Sequence, residues 1–346
     1  MFRIFTVLCC LCSALAAWGE SYNFFMISDP HLGAAETYCT DPKVPRRYRT
    51  KKDIHRADKV MPVYEALFAD IARKTDSSTR FVIEAGDLIE GGTPNEKTHK
   101  KVLEDALLFM QKHFKKLPIY MVKGNHEAFG LGGDAAYNKI LVPAIARYAG
   151  KEKLEYANYA VTCGKDLFIF IDYYPKAQGY DFILKTLASL KTKPRYVFVT
   201  LHAPLFPYSG VKALALLEKL TEYNAVILAG HCHANTVTAF EKNGKKVVQV
   251  TVSTFVAKSP VKKQQLTDIQ SSPQKMTEGF RNKMKRKNAA AVLPDFDKNW
   301  APYFTEHRQF KGTGYARINV SGKEVSVSFQ SVDLTQKPIT VKLISK

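Results

Sequence analysis

Five separate apolar runs in this chain each stop at a residue able to bind a metal, and no other feature constrains the fold so tightly. Asn23-Phe-Phe-Met-Ile-Ser28 runs into Asp29-Pro-His31, and Arg80-Phe-Val-Ile-Glu-Ala85 runs into Gly86-Asp87. Ile119-Tyr-Met-Val122 runs into Lys123-Gly-Asn-His-Glu127, and Tyr196-Val-Phe-Val-Thr-Leu201 into His202. Val226-Ile-Leu-Ala-Gly-His-Cys-His233 is the fifth, and five of the nine histidines fall at these ends. Runs of this kind read as buried strands, and open α/β sheets bind ligands beyond the carboxyl ends of their strands. On an extended segment side chains alternate, so His231 and His233 are expected to point the same way. Cys232 is then expected to point away, as buried filler.

Between these runs the pattern is helical. Apolar residues recur at helical spacing over residues 58–73, with Val60, Val63, Leu67 and Ile71 on one face, and again over 99–114. Residues 134–148, 181–190 and 211–223 read the same way, while 156–162 and 166–171 read as paired strands joined at Gly164-Lys165. Alternation of strand and helix predicts a layered α/β architecture. Past His233 come two hairpins, 236–240 with 245–254 around Asn243-Gly244, and 315–320 with 324–330 around Ser321-Gly322. A last strand is expected at 339–344. These strands are expected to complete the sheets of a single domain. Residues 258–311, with Lys283-Met-Lys-Arg-Lys287 at their centre, are polar, basic and poorly periodic. They read as an insertion of a helix and loops over one edge.

The ordered blocks Asp29-x-His31, Gly86-Asp87, Gly124-Asn-His-Glu127, His202 and Gly230-His-x-His233 resemble the calcineurin-like metallophosphoesterases over roughly residues 22–256. The resemblance implies a layered α/β/β/α sandwich, two central mixed β-sheets flanked by helices. It also implies a dinuclear metal centre that cleaves phosphate esters, monoesters or diesters, with a metal-activated water. Asp29, His31 and His233 would complete one metal position, Asn125, His202 and His231 the other, and Asp87 would bridge them. Mixed N and O donors suit Mn, Fe, Zn or Ni rather than Ca or Mg alone. His126 is not a ligand in the family. It has the place of a general acid for the leaving oxygen, and with Asn125 it would contact substrate. Glu127 follows it as a candidate for fixing the imidazole. Purple acid phosphatases carry a tyrosine three residues after the bridging aspartate, where this chain has Glu90. Tyr173, Tyr174 and Phe206 are candidates for stacking on a nucleobase or lining an apolar pocket.

A net charge of +19 fits an anionic partner such as nucleic acid, anionic lipid or polyphosphate, and fits equally a soluble surface rich in Lys. The basic residues between Leu32 and Lys59 follow a ligand-bearing strand end and are expected to rim the site. Residues 1–17 have the pattern of a secretory signal peptide, with Arg3 before the apolar run and small residues at 14–16. The mature chain, 18–346, would then be secreted or periplasmic with no transmembrane segment; an uncleaved anchor is the alternative. It would keep Cys39, Cys163 and Cys232, an odd number that allows at most one bridge, Cys39–Cys163. Two further readings remain at this level: a binding module that kept the fold without catalysis, and an extracellular nuclease. A complete ligand set argues against the first.

Overall fold

A computed structural model describes residues 21–33, 57–115, 117–154, 157–173, 176–207, 210–254 and 265–345. The chain opens with β1 (Tyr22–Ile27), α1 (Ala57–Lys74), β2 (Thr79–Glu84), α2 (Glu96–His113), β3 (Ile119–Met121) and α3 (Gly133–Tyr148). It continues through β4 (Tyr159–Cys163), β5 (Asp166–Phe170), α4 (Lys176–Ala188), β6 (Val197–Leu201), α5 (Val211–Leu220) and β7 (Ala225–Ala229). The hairpin β8 (Asn235–Lys242) and β9 (Lys245–Thr251) follows, then β10 (Thr267–Asp268), α6 (Pro273–Arg286) and α7 (Leu293–Asn299). The last strands are β11 (Phe304–Lys311), β12 (Gly314–Val320), β13 (Glu324–Ser331) and β14 (Ile339–Ser345). They form two mixed sheets, in the orders β14-β13-β12-β1-β2-β3 and β10-β11-β8-β9-β7-β6-β5-β4. This is the expected α/β sandwich of two sheets with flanking helices.

Strands β5, β6 and β7 are buried along their whole length, which is why their sequences are continuous apolar runs rather than alternating ones. Their side chains divide between two cores. Phe198, Val226 and Leu228 enter the seam between the sheets, while Val197, Val199 and Ile227 pack with the residues of α4 and α5. The seam is aromatic: Phe24 stacks on Phe81 at 4.9 Å and meets Phe168 and Phe198 of the other sheet edge-on at 5.4 and 5.6 Å. At the end of the sheets where β1 and β5 begin, Asp166 accepts from the Tyr22 hydroxyl at 2.8 Å and from Arg195 at 2.9 and 2.6 Å. That cross-sheet bond fixes how the two sheets slide, and so how their opposite ends meet. On the outer face, α1 buries Leu67 and Ile71 of the predicted stripe together with Tyr64 and Phe68, while Val63 is only half-buried. The Asn95 side chain caps α2 by accepting from the Thr98 N–H.

The turn at Asn243-Gly244 has both residues left-handed, φ 55° and 68°, as a two-residue hairpin requires. Strands β12 to β14 extend the first sheet, with β12 antiparallel to β1. The stretch read as a loop-rich insertion differs from expectation at its end, where β11 is an eight-residue strand beside β8. The strand is buried on both faces, Phe304 packing in the core beneath the helices and Phe310 in the seam between the sheets, and a register shift falls between Phe304 and Glu306. The period of two that marks a half-buried strand is therefore missing from the sequence. Residues 1–17, Cys39, most of the basic run between Leu32 and Lys59, and Tyr174 lie outside the described residues. Cys163 is a free, buried thiol. Among the described residues no helix is long and apolar enough to cross a membrane.

His99 of α2 and His307 of β11 are buried and neutral, each pushed down to about 4 by burial. The same side chains in an unfolded chain titrate near 6.5. Below that value the unfolded state takes up protons that the fold refuses, so stability falls as pH drops from about 6.5 toward 4. Each histidine contributes about 1.4 kcal/mol per pH unit to that loss. Denaturant midpoints measured between pH 7 and 4.5 should show the decline, and His307→Gln should flatten it; an unchanged slope in the variant rules out His307 as a source.

Candidate metal centre

The strand ends leave their sheets through left-handed backbone. Asp29, His31, Asp87, His231 and His233 have φ of 51°, 49°, 57°, 66° and 50°. Each such residue costs on the order of 1–2 kcal/mol without a glycine's freedom, and it persists only where its surroundings over-determine it. Here they do. Beyond β1 and β2 the two loops run side by side, with the N–H groups of Asp29, His31 and Leu32 donating to the carbonyls of Gly86, Asp87 and Leu88 at 3.0, 3.0 and 2.8 Å. In the second sheet the Gly230 N–H donates to the His202 carbonyl at 2.9 Å. Asp29 joins the two sets: its Oδ2 accepts the His231 N–H at 2.8 Å, and its carbonyl accepts the Thr254 hydroxyl at 2.5 Å.

This closeness explains two of the motif glycines. A Cβ on Gly124 would lie 2.1 Å from Asp87 Oδ1, and one on Gly230 would lie 1.7 Å from Ser28 Oγ and 2.5 Å from Asp29 Oδ2. Nothing larger than hydrogen fits at either place.

Among the described residues the expected ligands fall into two groups of donors, and a third group, His31, Glu90 and His126, borders the first. Oxygen or nitrogen atoms of Asp29, His31 and His233 lie within 4.8 Å of one another, and so do those of Asp87, His202 and His231. In the first, His233 Nε2 is 3.1 Å from Asp29 Oδ1 and 3.2 Å from His31 Nε2. In the second, His202 Nε2 is 3.2 Å from both Asp87 Oδ2 and His231 Nδ1. Six of the seven expected ligands thus fall into the two groups, with Asp87 beside His202 and His231. The seventh, Asn125, follows β3, and its buried Oδ1 has no hydrogen-bond partner. A buried acceptor left without a partner calls for a ligand, and a metal is one that would satisfy it. The His231–His233 segment departs from expectation. It is not extended: left-handed backbone at both histidines sends one imidazole to each group, and Cys232 between them is exposed rather than buried filler.

The imidazoles are oriented from behind. His202 Nδ1–H donates to the Ala85 carbonyl at 2.8 Å, which leaves Nε2 as the electron-pair donor. His31 turns Nδ1 to Glu90 Oε2 at 3.0 Å and Nε2 to the first group. His126 Nδ1–H donates to the Glu90 carbonyl at 2.5 Å, with Nε2 3.9 Å from Asp87 Oδ2. Glu90 therefore serves both rings, one through its carboxylate and one through its backbone, and its place after Asp87 was the only sequence signal for it. Glu127 does not hold the imidazole. Its buried carboxylate accepts from the N–H groups of Gly124, Asp87 and Ile89 at 2.6, 3.1 and 3.3 Å, clamping two ligand loops together. Phe206 is packed in the core against Phe240 and Phe304, away from any cleft. Tyr173 is half-buried with its ring centroid 5.6 Å from His202 and 6.0 Å from His231.

Burial would raise both aspartates, yet both carboxyls stay below the ordinary carboxylate value. For Asp29 the His233 bond and the charges of His202 and His31 outweigh burial; for Asp87 the charge and bond of His202 come first, then His126 and His31. Burial would lower His202, but Asp87 beside it pushes the imidazole up to about 9. Glu127, desolvated and facing Asp87, is pushed up to about 7.

Two outcomes are expected. Gly230→Ala should leave the far-ultraviolet circular dichroism unchanged while bound metal, counted by elemental analysis, falls below one equivalent; two equivalents retained would mean the loops part easily. At pH 7 the metal-free His202 carries a proton, and a metal takes only the neutral ring. Metal affinity should therefore climb about tenfold per pH unit for each proton released as pH rises from 7 toward 9. Calorimetric titration in buffers of different ionisation enthalpy reads that release, and affinity flat with pH contradicts it.

The model of the calcineurin-like phosphoesterase family matches residues 22–235, which hold every residue of the two groups. A search of curated proteins finds no match. Among solved structures the chain is similar to GAP50, described as the anchor in the inner membrane complex of Plasmodium, at 13% identity and a TM-score of 0.50 over 94% of this chain and 89% of that one. It is also similar to PhoD, at 10% identity and 0.52 over 93% and 68%. A dimetal phosphatase from Danio rerio aligns at 12% identity and 0.49 over 93% and 99%. At such identities these structures speak to the fold alone. The family model, matched over more than half of the chain and over all the candidate metal ligands, decides the matter: the chain belongs to the calcineurin-like phosphoesterases.

Proposed function

We propose that the chain hydrolyses phosphate esters at these two donor groups. The observation that carries the reading is their assembly across the two sheets with His126 beside them, its ring held at Nδ1 and open at Nε2. The donor set fits a pair of first-row metals. When bound, such a pair (Mn, Fe, Zn or Ni) supplies a nucleophile from water at neutral pH and offsets charge on the phosphoryl oxygens.

The residues of the chain do the remaining work. Asp29, His31 and His233 would hold one position, and Asn125, His202 and His231 the other. Asp87, beside His202 and His231, would supply the anion that the family resemblance puts between them. His126, protonated at Nε2, gives that proton to the oxygen of the departing alcohol. Its Nδ1–H, tied to the Glu90 carbonyl, fixes which nitrogen faces the substrate. Asn125 and His126 line the place where the phosphoryl group sits. GAP50, a chain of this fold that serves as an anchor, raises the alternative of a non-hydrolytic role; the filled donor set stands against it.

The test is turnover of a chromogenic phosphomonoester and the matching diester after loading with each of Mn, Fe, Zn and Ni. Asp87→Ala should abolish turnover and lower bound metal. His126→Ala should keep the metal and reduce kcat by about 10²–10³ for esters of poor leaving groups, and by much less for nitrophenyl esters, whose leaving oxygen needs little help. Metal-loaded protein with no turnover of either ester overturns the hydrolase reading.

A further inference from the structure

The proton that His126 gives defines where the organic part of a substrate must lie: on the oxygen next to Nε2, just outside the imidazole. Among the described residues, His31 meets that ring edge-on at 4.6 Å between centroids, the Glu90 backbone carbonyl takes its Nδ1–H, and Asp87 Oδ2 lies 3.9 Å from Nε2, so all three belong to the candidate metal side. Phe129 also borders it, edge-on at 5.7 Å and half-buried.

Phe129 is placed firmly. Its N–H donates to the His126 carbonyl at 3.0 Å, and its own carbonyl accepts the Gly92 N–H at 2.5 Å. The neighbouring Gly130 pairs with Thr93 in an isolated bridge. Gly91, left-handed at φ 69°, lies so close that a Cβ there would stand 2.3 Å from the His126 carbonyl oxygen, 2.5 Å from that of Phe129 and 3.2 Å from the Phe129 Cβ. One short turn thus fixes the proton donor and the aromatic ring relative to each other. Tyr173, the other half-buried aromatic, lies against His202 and His231 of the second donor group instead.

We propose that Phe129 is the leaving-group platform of this site and makes it selective for phosphate esters of flat, apolar alcohols such as phenols. A ring held this close to His126 is within stacking reach of a planar group on the oxygen being protonated, and such aromatic contact adds about tenfold in affinity over an alkyl group. The inference rests on the phosphoester reading given above. It assigns selectivity, not chemistry, to Phe129.

The test uses non-hydrolysable probes on the metal-loaded full chain. Phenylphosphonate and methylphosphonate carry the same charged head and differ only in the organic group. Calorimetry should show phenylphosphonate bound about tenfold more tightly by the wild type. Phe129→Leu should bring the two affinities within about twofold while methylphosphonate binding and metal content stay unchanged, and Tyr173→Leu should keep the preference. Steady-state rates should agree, Phe129→Leu raising KM for an aryl ester with kcat little altered. Equal affinities in the wild type, a preference that survives Phe129→Leu, or one that vanishes in Tyr173→Leu instead would each overturn the assignment. Methylphosphonate bound without an aryl preference removes only Phe129's role. Neither phosphonate bound, with no ester turned over, removes the phosphoester reading and this inference together.

Discussion

The metal-binding edge depends on where Asp29 sits. It is fully buried at the end of a strand of the first sheet, yet its side chain is bound to the backbone of the second through His231 and its carbonyl to Thr254 beyond β9. Ser28 Oγ donates to the same carboxylate at 2.5 Å. A buried carboxylate is tolerated only with such partners, and each partner here comes from an element that must be in place first. The aromatic seam of Phe24, Phe168 and Phe198 sets the spacing of the sheets, and the Tyr22–Asp166–Arg195 cluster sets their offset. Asp29 is where those two settings become a binding site.

The same logic explains why so much of the strain in the molecule is gathered at one edge. Left-handed residues are needed because both donor groups must converge from strands that point outward, and a loop continuing in extended backbone would carry its imidazoles past one another. Hydrogen bonds between neighbouring loops, and the carboxylate of Glu127 behind them, hold conformations that none of these residues adopts unaided. Glu127 shows how dense the arrangement is: one buried side chain satisfies three backbone N–H groups from two loops.

What was legible in the sequence were the strand ends, because a buried parallel strand is a continuous apolar run and its exit residue is conspicuous. Asp29, His31, Asp87, Asn125, His126, His202, His231 and His233 could all be named that way. Their local conformation could not. Alternation in a strand predicted that His231 and His233 would share a direction, and only the left-handed turn, invisible in residue type, separates them. Glu90 was noticed solely as a departure from a relative's tyrosine, since one acidic residue in a loop carries no periodic signal. Phe129 had none either, because its importance lies in a turn that places it beside His126. The strand β11 was hidden because it buries Phe304 and Phe310 on opposite faces and carries a register shift, so no period of two survives.

Each donor group draws residues from both sheets, with Asp29 and His233 in one and Asp87 and His231 in the other. Asp29 and His233 are 204 positions apart in the chain. Loop closure on that scale is late and slow, so a partly folded chain with one sheet formed presents only one or two of the three residues of either group. Each candidate group is therefore complete only in the closed sandwich.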